Sequence, residues 1–140
     1  MANKRISTFK IQNHDTVENP VKIALESSVD AICLLVWEDP DGPFAPMKLT
    51  ISRSDCERLA GELRRADEVL MRRSCADSSF ELHDCILDQP IFVTVRTLPD
   101  GIMYLFICIN KITDLELFID QHDRQSLIKV LTKLVEALRP

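Results

Sequence analysis

The chain has 140 residues, of which 46% are hydrophobic and 28% are charged, and its formal net charge is -5 at pH 7. A chain of this size and composition can bury one core without metals or disulfides, so we predict a single domain over residues 1–140. The acidity disfavours a general phosphate binder, and no apolar run approaches the roughly 18 residues of a membrane span. We therefore expect a soluble, cytoplasmic protein with no membrane partner.

The first half of the chain predicts four strands and then one helix. The strand candidates are residues 5–11, 21–25, 31–37 and 47–51, and the polar stretch 12–20 is a loop. Ala31–Trp37 is apolar throughout, which predicts a central strand covered on both faces. The apolar period then changes from 2 to 3.6 residues. A helix over about Arg53–Arg73, capped by Ser52, presents one stripe: Cys56, Leu59, Ala60, Leu63, Ala66 and Leu70.

The second half repeats this plan. Its strand candidates are residues 80–86, 91–95, 102–109 and 115–119, and the turn tripeptide Pro99–Gly101 predicts a hairpin. Residues 102–109 form the second continuously apolar strand. A helix over about Gln121–Leu138 is capped by Asp120 and carries the stripe Leu127, Ile128, Leu131, Leu134, Val135 and Leu138. Asp55 and Asp123 hold the third helical positions, where a carboxylate completes a capping box.

An internal repeat links the two halves. Leu49–Leu70 aligns without gaps on Leu117–Leu138, and the two segments share Leu, Ile, Asp, Leu, Leu, Glu and Leu. Duplication explains this match, and so does the pattern common to any strand that enters a capped amphipathic helix. Both explanations predict one architecture. It is an α+β fold of two tandem ββββα units, at about residues 1–73 and 79–140, whose antiparallel sheets are each packed by one amphipathic helix.

The sequence indicates no catalytic or metal site. Each of the three histidines precedes an aspartate, as in metal phosphohydrolases, but His14 falls in a loop, His83 in a strand and His122 at a helix start. Phosphate-binding and nucleophile-elbow motifs are absent, and only three glycines are present. The five cysteines form no CxxC pair, which predicts buried free thiols, with a Cys75–Cys85 bridge left open. We expect no catalytic residue, no metal and no cofactor.

One strand face is a candidate binding surface. If Ile91, Val93 and Val95 point at a helix, strand parity turns Phe92 and Arg96 outward. The same parity adds further residues, so that the outward set is Lys22, Lys48, Phe92, Arg96 and Phe118. Such a set of aromatic and basic residues can stack and neutralise a single-stranded nucleic acid. The other interpretation is a dimer interface or a second core layer, because continuously apolar strands need cover on both faces.

A ββββα unit written twice, each ending in a segment such as LTISRSDCERLAGEL, resembles the Whirly, Pur and positive-cofactor-type group of single-stranded nucleic-acid binders. The resemblance implies units that pair helix to helix and strand faces that bind single strands. This sequence is acidic and carries no basic, glycine-rich strand motif of that kind, so no binding residue is transferred from those families.

Three functions follow in order of preference. The first is a non-enzymatic interaction protein, such as an adaptor, regulator or chaperone-like module, that forms a homodimer or binds a protein partner. The second is a single-stranded nucleic-acid-binding protein. The third is a small-molecule enzyme or ligand-binding domain, which would need titratable groups that converge on one pocket.

Overall fold

The computed structural model describes residues 4–12, 20–27, 30–38, 42–43, 45–109 and 113–138, without the side chains of residues 4–6, 9 and 113. Within these ranges the chain forms four strands and a helix twice, in the predicted order. The elements are β1 (Lys4–Gln12), β2 (Pro20–Ser27), β3 (Ala31–Trp37), β4 (Met47–Ser52), α1 (Arg53–Met71), β5 (Asp77–Asp84), β6 (Gln89–Thr97), β7 (Met103–Ile109), β8 (Thr113–Ile119) and α2 (Gln121–Ala137). The polar stretch 13–19, which contains His14, lies outside the described residues.

The eight strands form two separate antiparallel sheets. Their orders are β1-β2-β3-β4 and β5-β6-β7-β8, so each strand pairs with its neighbour in the chain. The predicted α+β class with two strand-rich units, each followed by a helix, is confirmed. The predicted hairpin at Pro99–Gly101 is also present. Gly101 adopts a positive φ of 84°, and the Leu98 N–H donates to the Ile102 carbonyl at 2.9 Å.

The fifth strand ends earlier than predicted. We expected a strand over residues 80–86, whereas β5 ends at Asp84 and residues 85–88 turn into β6. Asp84 explains the difference, because its carboxylate Oδ1 accepts from the backbone N–H groups of Ile86 (3.0 Å) and Leu87 (2.9 Å). An aspartate that bonds the backbone two and three residues ahead favours a turn over continued strand.

Both helices begin at the predicted caps. Ser52 Oγ accepts from the Asp55 N–H at 3.2 Å, and Asp120 Oδ1 accepts from the Asp123 N–H at 2.9 Å. The carboxylates of the two third-position aspartates are bonded to the opposite unit. Asp55 Oδ2 accepts from the His83 N–H in β5, and Asp123 Oδ2 accepts from the Gln12 N–H in β1, both at 2.9 Å. We call these two bonds the reciprocal ties.

The helices pack against each other and between the two sheets. The α1 helix contacts β3 and β4 of the first sheet and β5, β6 and β7 of the second, while α2 contacts β1. The predicted stripe of α1 is buried in full, and that of α2 is buried except for Leu138, which is partly buried. Buried side chains from both sheets and both helices join in one hydrophobic cluster. The two units therefore share a core.

Arg124 is buried inside this arrangement, with 2% of its surface exposed. Its Nε donates to Asp67 Oδ1 at 2.7 Å, and its Nη1 donates to the Gly101 carbonyl at 3.0 Å. The guanidinium thus joins the start of α2, the end of α1 and the β6–β7 turn. A buried charge that is paired and bonded in this way fixes the relative position of its partners, because losing either one would leave it uncompensated.

Candidate interaction surface

The five residues predicted to form one surface lie on two sheets. Lys22 and Lys48 project from the outer side of the first sheet, and Phe92, Arg96 and Phe118 project from the outer side of the second. Strand parity gave the correct side for each of them, since the inward set Ile91, Val93 and Val95 is buried. It could not tell that the lysines and the aromatic residues belong to different sheets.

The outward side chains of β5–β8, which we call the second-sheet face, lie in rows across the strands. The rows are Asp77-Arg96-Tyr104-Phe118, Ser79-Thr94-Phe106-Glu116 and Glu81-Phe92-Cys108-Asp114. Phe92 is 40% exposed, and the other three aromatic side chains are half-buried. The centroid of the Tyr104 ring lies 5.0 Å from the centroid of the Phe118 ring and 6.5 Å from that of the Phe106 ring. A cluster of aromatic rings therefore reaches the surface of this sheet.

The outer side of β7 differs from the sequence-based expectation. The apolar run at residues 102–109 predicts a strand covered on both faces, yet only its inward residues are buried. Tyr104, Phe106 and Cys108 are half-buried on the outer side. In β3, by contrast, Ala31–Val36 are all buried. Of the two apolar strands, β7 is the one whose outer side stays partly open in the single chain.

Acidic groups dominate the charge of the second-sheet face. Its rows contain four carboxylates, those of Asp77, Glu81, Asp114 and Glu116, and a single arginine. That arginine, Arg96, pairs with Asp77 at 3.2 Å and lies 6.0 Å from the Tyr104 ring. Phosphate groups would meet an excess of negative charge on this face.

The hydroxyl of Tyr104 is fixed by a hydrogen bond on the second-sheet face. The hydroxyl donates to Glu116 Oε1 at 2.7 Å. Burial raises the pKa of Tyr104 to about 12, and the hydrogen bond and the charge of Glu116 act in the same direction. Burial disfavours the phenolate, and a carboxylate beside the phenol disfavours it further. Tyr104 therefore stays a neutral phenol further into the alkaline range, with its O–H donated to Glu116.

The outward side chains of β1–β4, which we call the first-sheet face, have a different character. The rows are Lys10-Lys22-Trp37, Thr8-Ala24-Leu35-Lys48 and Glu26-Cys33-Thr50. Ala24, Cys33 and Leu35 are buried in a small cluster with Trp37 packed against it, and the Lys22 ammonium lies 4.6 Å from the Trp37 ring. Burial raises the pKa of the Cys33 thiol, so this buried sulfur stays protonated. Lys10 and Lys48 are exposed.

The β5–β6 turn displays two aliphatic side chains that sequence reasoning placed in or beside a strand. Ile86 is 71% exposed and Leu87 is 55% exposed. The turn is fixed to the first sheet, because Asp84 Oδ2 accepts from the Thr50 N–H at 3.2 Å and the Cys85 N–H donates to the Thr50 carbonyl at 2.9 Å. Asp84 before the turn was the available signal for this feature.

Two clefts lined by described residues lie beside the helices. One of about 540 Å³ lies at the end of α1 and is lined by Leu70, Arg73, Ser74, Cys75, Leu98 and the Pro99–Gly101 turn. The other, of about 330 Å³, lies between the helices and is lined by Glu57, Ala60, Arg64, Thr132, Val135 and Glu136.

Within the described residues, no three His, Cys, Asp or Glu side chains are grouped to hold a metal ion. All five cysteines are free, so the Cys75–Cys85 bridge does not form.

Comparisons with protein-family models, with curated proteins and with solved structures find no match for this chain. Neither helix in the described ranges is long and apolar enough to cross a membrane.

Proposed function

We propose that this protein is a non-enzymatic interaction module that binds a protein partner on its second-sheet face. The partly open outer side of β7 is the observation that supports this proposal. An aromatic surface of this kind is costly to leave in water, and clustered Tyr and Phe side chains are enriched in protein interfaces. Phe92, at 40% exposure, is its most accessible ring.

The pattern of charge supports a protein partner over a nucleic acid. The aromatic rings alone suit base stacking, which keeps single-stranded nucleic acid as the second candidate. The carboxylates that surround them oppose a phosphate backbone, and Arg96 already pairs with Asp77. In a protein interface, the same arrangement gives an apolar centre with a charged rim that selects a cationic partner surface.

Substitution of the exposed aromatic ring tests the proposal. A tagged full-length chain and its Phe92→Ser variant are compared for molar mass by light scattering at high concentration and for proteins recovered in a pull-down. We expect the wild type to associate with itself or with a recovered protein, and Phe92→Ser to lose that association. Ile86→Ser is the matched control, since it removes an exposed aliphatic side chain outside the face. A monodisperse wild-type monomer that recovers no partner would contradict the proposal.

The nucleic-acid alternative has its own measurement. Fluorescence anisotropy of labelled single-stranded oligonucleotides should show no binding at about 50 mM salt, where electrostatic affinity is large. Binding that weakens steeply with added salt and disappears in Phe92→Ser would favour the alternative over a protein partner.

A further inference from the structure

The carboxylates of the second-sheet face lie along its two edge strands. Asp77 and Glu81 belong to β5, and Asp114 and Glu116 belong to β8. Most of the rings lie between these strands, on β6 and β7, and Phe118 extends them onto β8. Neighbouring strands are about 4.8 Å apart, so three strand spacings place β5 and β8 about 14 Å apart. The face is thus a band of aromatic rings between two acidic edges.

Each acidic edge holds one carboxylate with a partner on the face and one that is exposed. Asp77 pairs with Arg96, and Glu116 accepts from the tyrosine hydroxyl. Glu81 and Asp114 are exposed, and they lie at opposite ends of the same row of the sheet. A partner that places a cation on each edge would therefore meet one accessible carboxylate on either side of the rings.

The edge at β8 carries negative charge that is already unfavourable in the single chain. Burial raises the pKa of Glu38, which follows β3, and the charge of Asp114 raises it further. A carboxylate that is harder to ionise beside a second carboxylate becomes easier to ionise when a cation approaches. A cationic group above Asp114 would therefore stabilise both charges.

The dimensions of this surface suit a helix. An α-helix with its side chains is about 10–12 Å across, so it fits between edges about 14 Å apart. A helix satisfies its own backbone hydrogen bonds, whereas an extended segment laid across the rings would bury N–H and C=O groups without partners. The inner side of the same sheet is covered in this way, because α1 packs against β5, β6 and β7.

A second copy of this chain fits the surface less well. Two second-sheet faces brought together would place acidic edges against acidic edges, and like charges oppose binding. The first-sheet face offers no open apolar centre, because Ala24, Cys33 and Leu35 are buried in the single chain. The apolar stripes of α1 and α2 are packed in the core. A helix that covers the rings is therefore expected from another protein.

We propose that the second-sheet face binds a basic amphipathic helix of another protein, with an apolar stripe on the rings and lysine or arginine residues along both sides of that stripe. This inference rests on the proposed function of the second-sheet face. The stripe covers Phe92 and the rings of β7, and the flanking cations lie above the two acidic edges. The apolar contact supplies affinity, and the charges select basic helices over acidic ones.

A designed peptide tests this inference on the full-length chain. The probe is a fluorescein-labelled leucine–lysine peptide of about 18 residues, with leucine at helical spacing and lysine on both sides of the stripe. One control peptide has the same composition in an order that spreads the leucines around the helix. The other has glutamate in place of lysine. Fluorescence anisotropy at about 50 mM salt should show at least ~10-fold tighter binding of the probe than of either control.

Three variants locate the binding. Glu81→Gln with Asp114→Asn removes one charge from each acidic edge and should weaken binding of the probe about 5-fold at low salt, with a smaller difference at high salt. Phe92→Ser should weaken it more than ~10-fold at both. Glu57→Gln with Glu68→Gln removes two charges from exposed positions of α1 and should bind as the wild type does. Circular dichroism establishes that each variant is folded.

The outcomes separate this inference from the proposed function. Equal binding of the two lysine peptides, or equal losses in the two charge variants, overturns the inference, because net charge alone would then explain binding. Absence of binding by the probe overturns it as well. If the probe does not bind but the wild type associates with itself or with a protein that Phe92→Ser loses, the proposed function stands alone. If Phe92→Ser changes neither association nor peptide binding, both fail.

Discussion

Arg124 illustrates how one buried side chain fixes several parts of this fold. It is the only buried arginine among the described residues, and from α2 its side chain bonds to a residue of α1 and to a turn of the second sheet. The sequence held a signal for it, because Arg124 lies three and four residues before Leu127 and Ile128, on the apolar stripe of α2. A long basic side chain on the apolar stripe of a helix predicts a buried ion pair with an acidic residue.

Replacement of Arg124 by methionine should lower the free energy of unfolding by about 3 kcal/mol. The change removes the donor to the Gly101 carbonyl and the cation paired with Asp67, and breaking a buried pair is costly. Urea denaturation followed by circular dichroism measures the loss. Arg65→Met is the control, because the exposed Arg65 lies 3.8 Å from Glu62 and such pairs contribute less than about 1 kcal/mol. Equal losses in the two variants would contradict the role given to Arg124.

Tyr104 is the single tyrosine of the chain, so its titration can be followed without overlap from another phenol. Absorbance at alkaline pH should give a pKa of about 12 for the folded protein, against about 10 for an unfolded chain. Because folding raises this pKa, the stability contributed by neutral Tyr104 is complete below pH ~10 and is lost as pH rises through about 12. Glu116→Gln should lower the pKa, since it removes a negative charge beside the phenol. An unchanged pKa in that variant would assign the whole shift to burial.

At the scale of elements, the first turn of each helix also connects the two units. The cap side chains of Ser52 and Asp120 accept hydrogen bonds from backbone N–H groups in the first turn of their helices. The carboxylates of Asp55 and Asp123 accept from backbone N–H groups of the opposite unit. The predicted capping box assigned those two carboxylates to their own helices. Sequence spacing shows only that a carboxylate stands at the third position, and the tertiary arrangement decides which amide it meets.

Asp55→Ala and Asp123→Ala should each destabilise the protein by about 1–3 kcal/mol, because each leaves a strand amide without its charged acceptor. Hydrogen exchange gives the specific readout. The His83 amide should exchange faster in Asp55→Ala, and the Gln12 amide should exchange faster in Asp123→Ala. Glu57→Ala, at an exposed position of α1, is the control and should change neither amide. Unchanged exchange in the two aspartate variants would show that these ties do not protect the strands.

The periodicity of apolar residues predicted the type and order of the elements, but it did not predict which surface stays exposed. The change from two-residue to 3.6-residue spacing located both helices to within about two residues, and alternation gave the inward side of β6. It failed at β5, where the turn chemistry of Asp84 ended the strand. Periodicity also did not predict that the aromatic residues of the second-sheet face stay partly exposed. Tyr104 and Phe106 sit inside a run that looks buried on both sides, and the assignment of strands to two sheets depends on pairing between distant residues.

At the scale of the whole molecule, the shared core predicts cooperative unfolding. The α1 helix contacts both sheets, and the reciprocal ties join each helix start to the other unit. Neither unit can then lose its structure without exposing apolar surface of the other. Each sheet has its own optical probe, because the single Trp37 lies in β3 and the single Tyr104 lies in β7.

Urea denaturation should therefore give coincident midpoints for Trp37 fluorescence, for Tyr104 near-ultraviolet absorbance and for far-ultraviolet circular dichroism. Unfolding at several protein concentrations separates this intramolecular coupling from any effect of association, since association makes the midpoint depend on concentration. Two separated transitions at one fixed concentration would contradict a common core and indicate two independent folding units.

The reciprocal ties also bear on how such a chain could arise. A single ββββα unit of this design would hold a helix-start carboxylate and a first-strand amide that cannot reach each other within the unit. Two identical units related by a twofold axis would satisfy both at once, each helix serving its neighbour's strand. If the two halves arose by duplication, a half-length ancestor would have satisfied these two groups only as a pair, and fusion of its two copies into one polypeptide would have made that pairing independent of concentration.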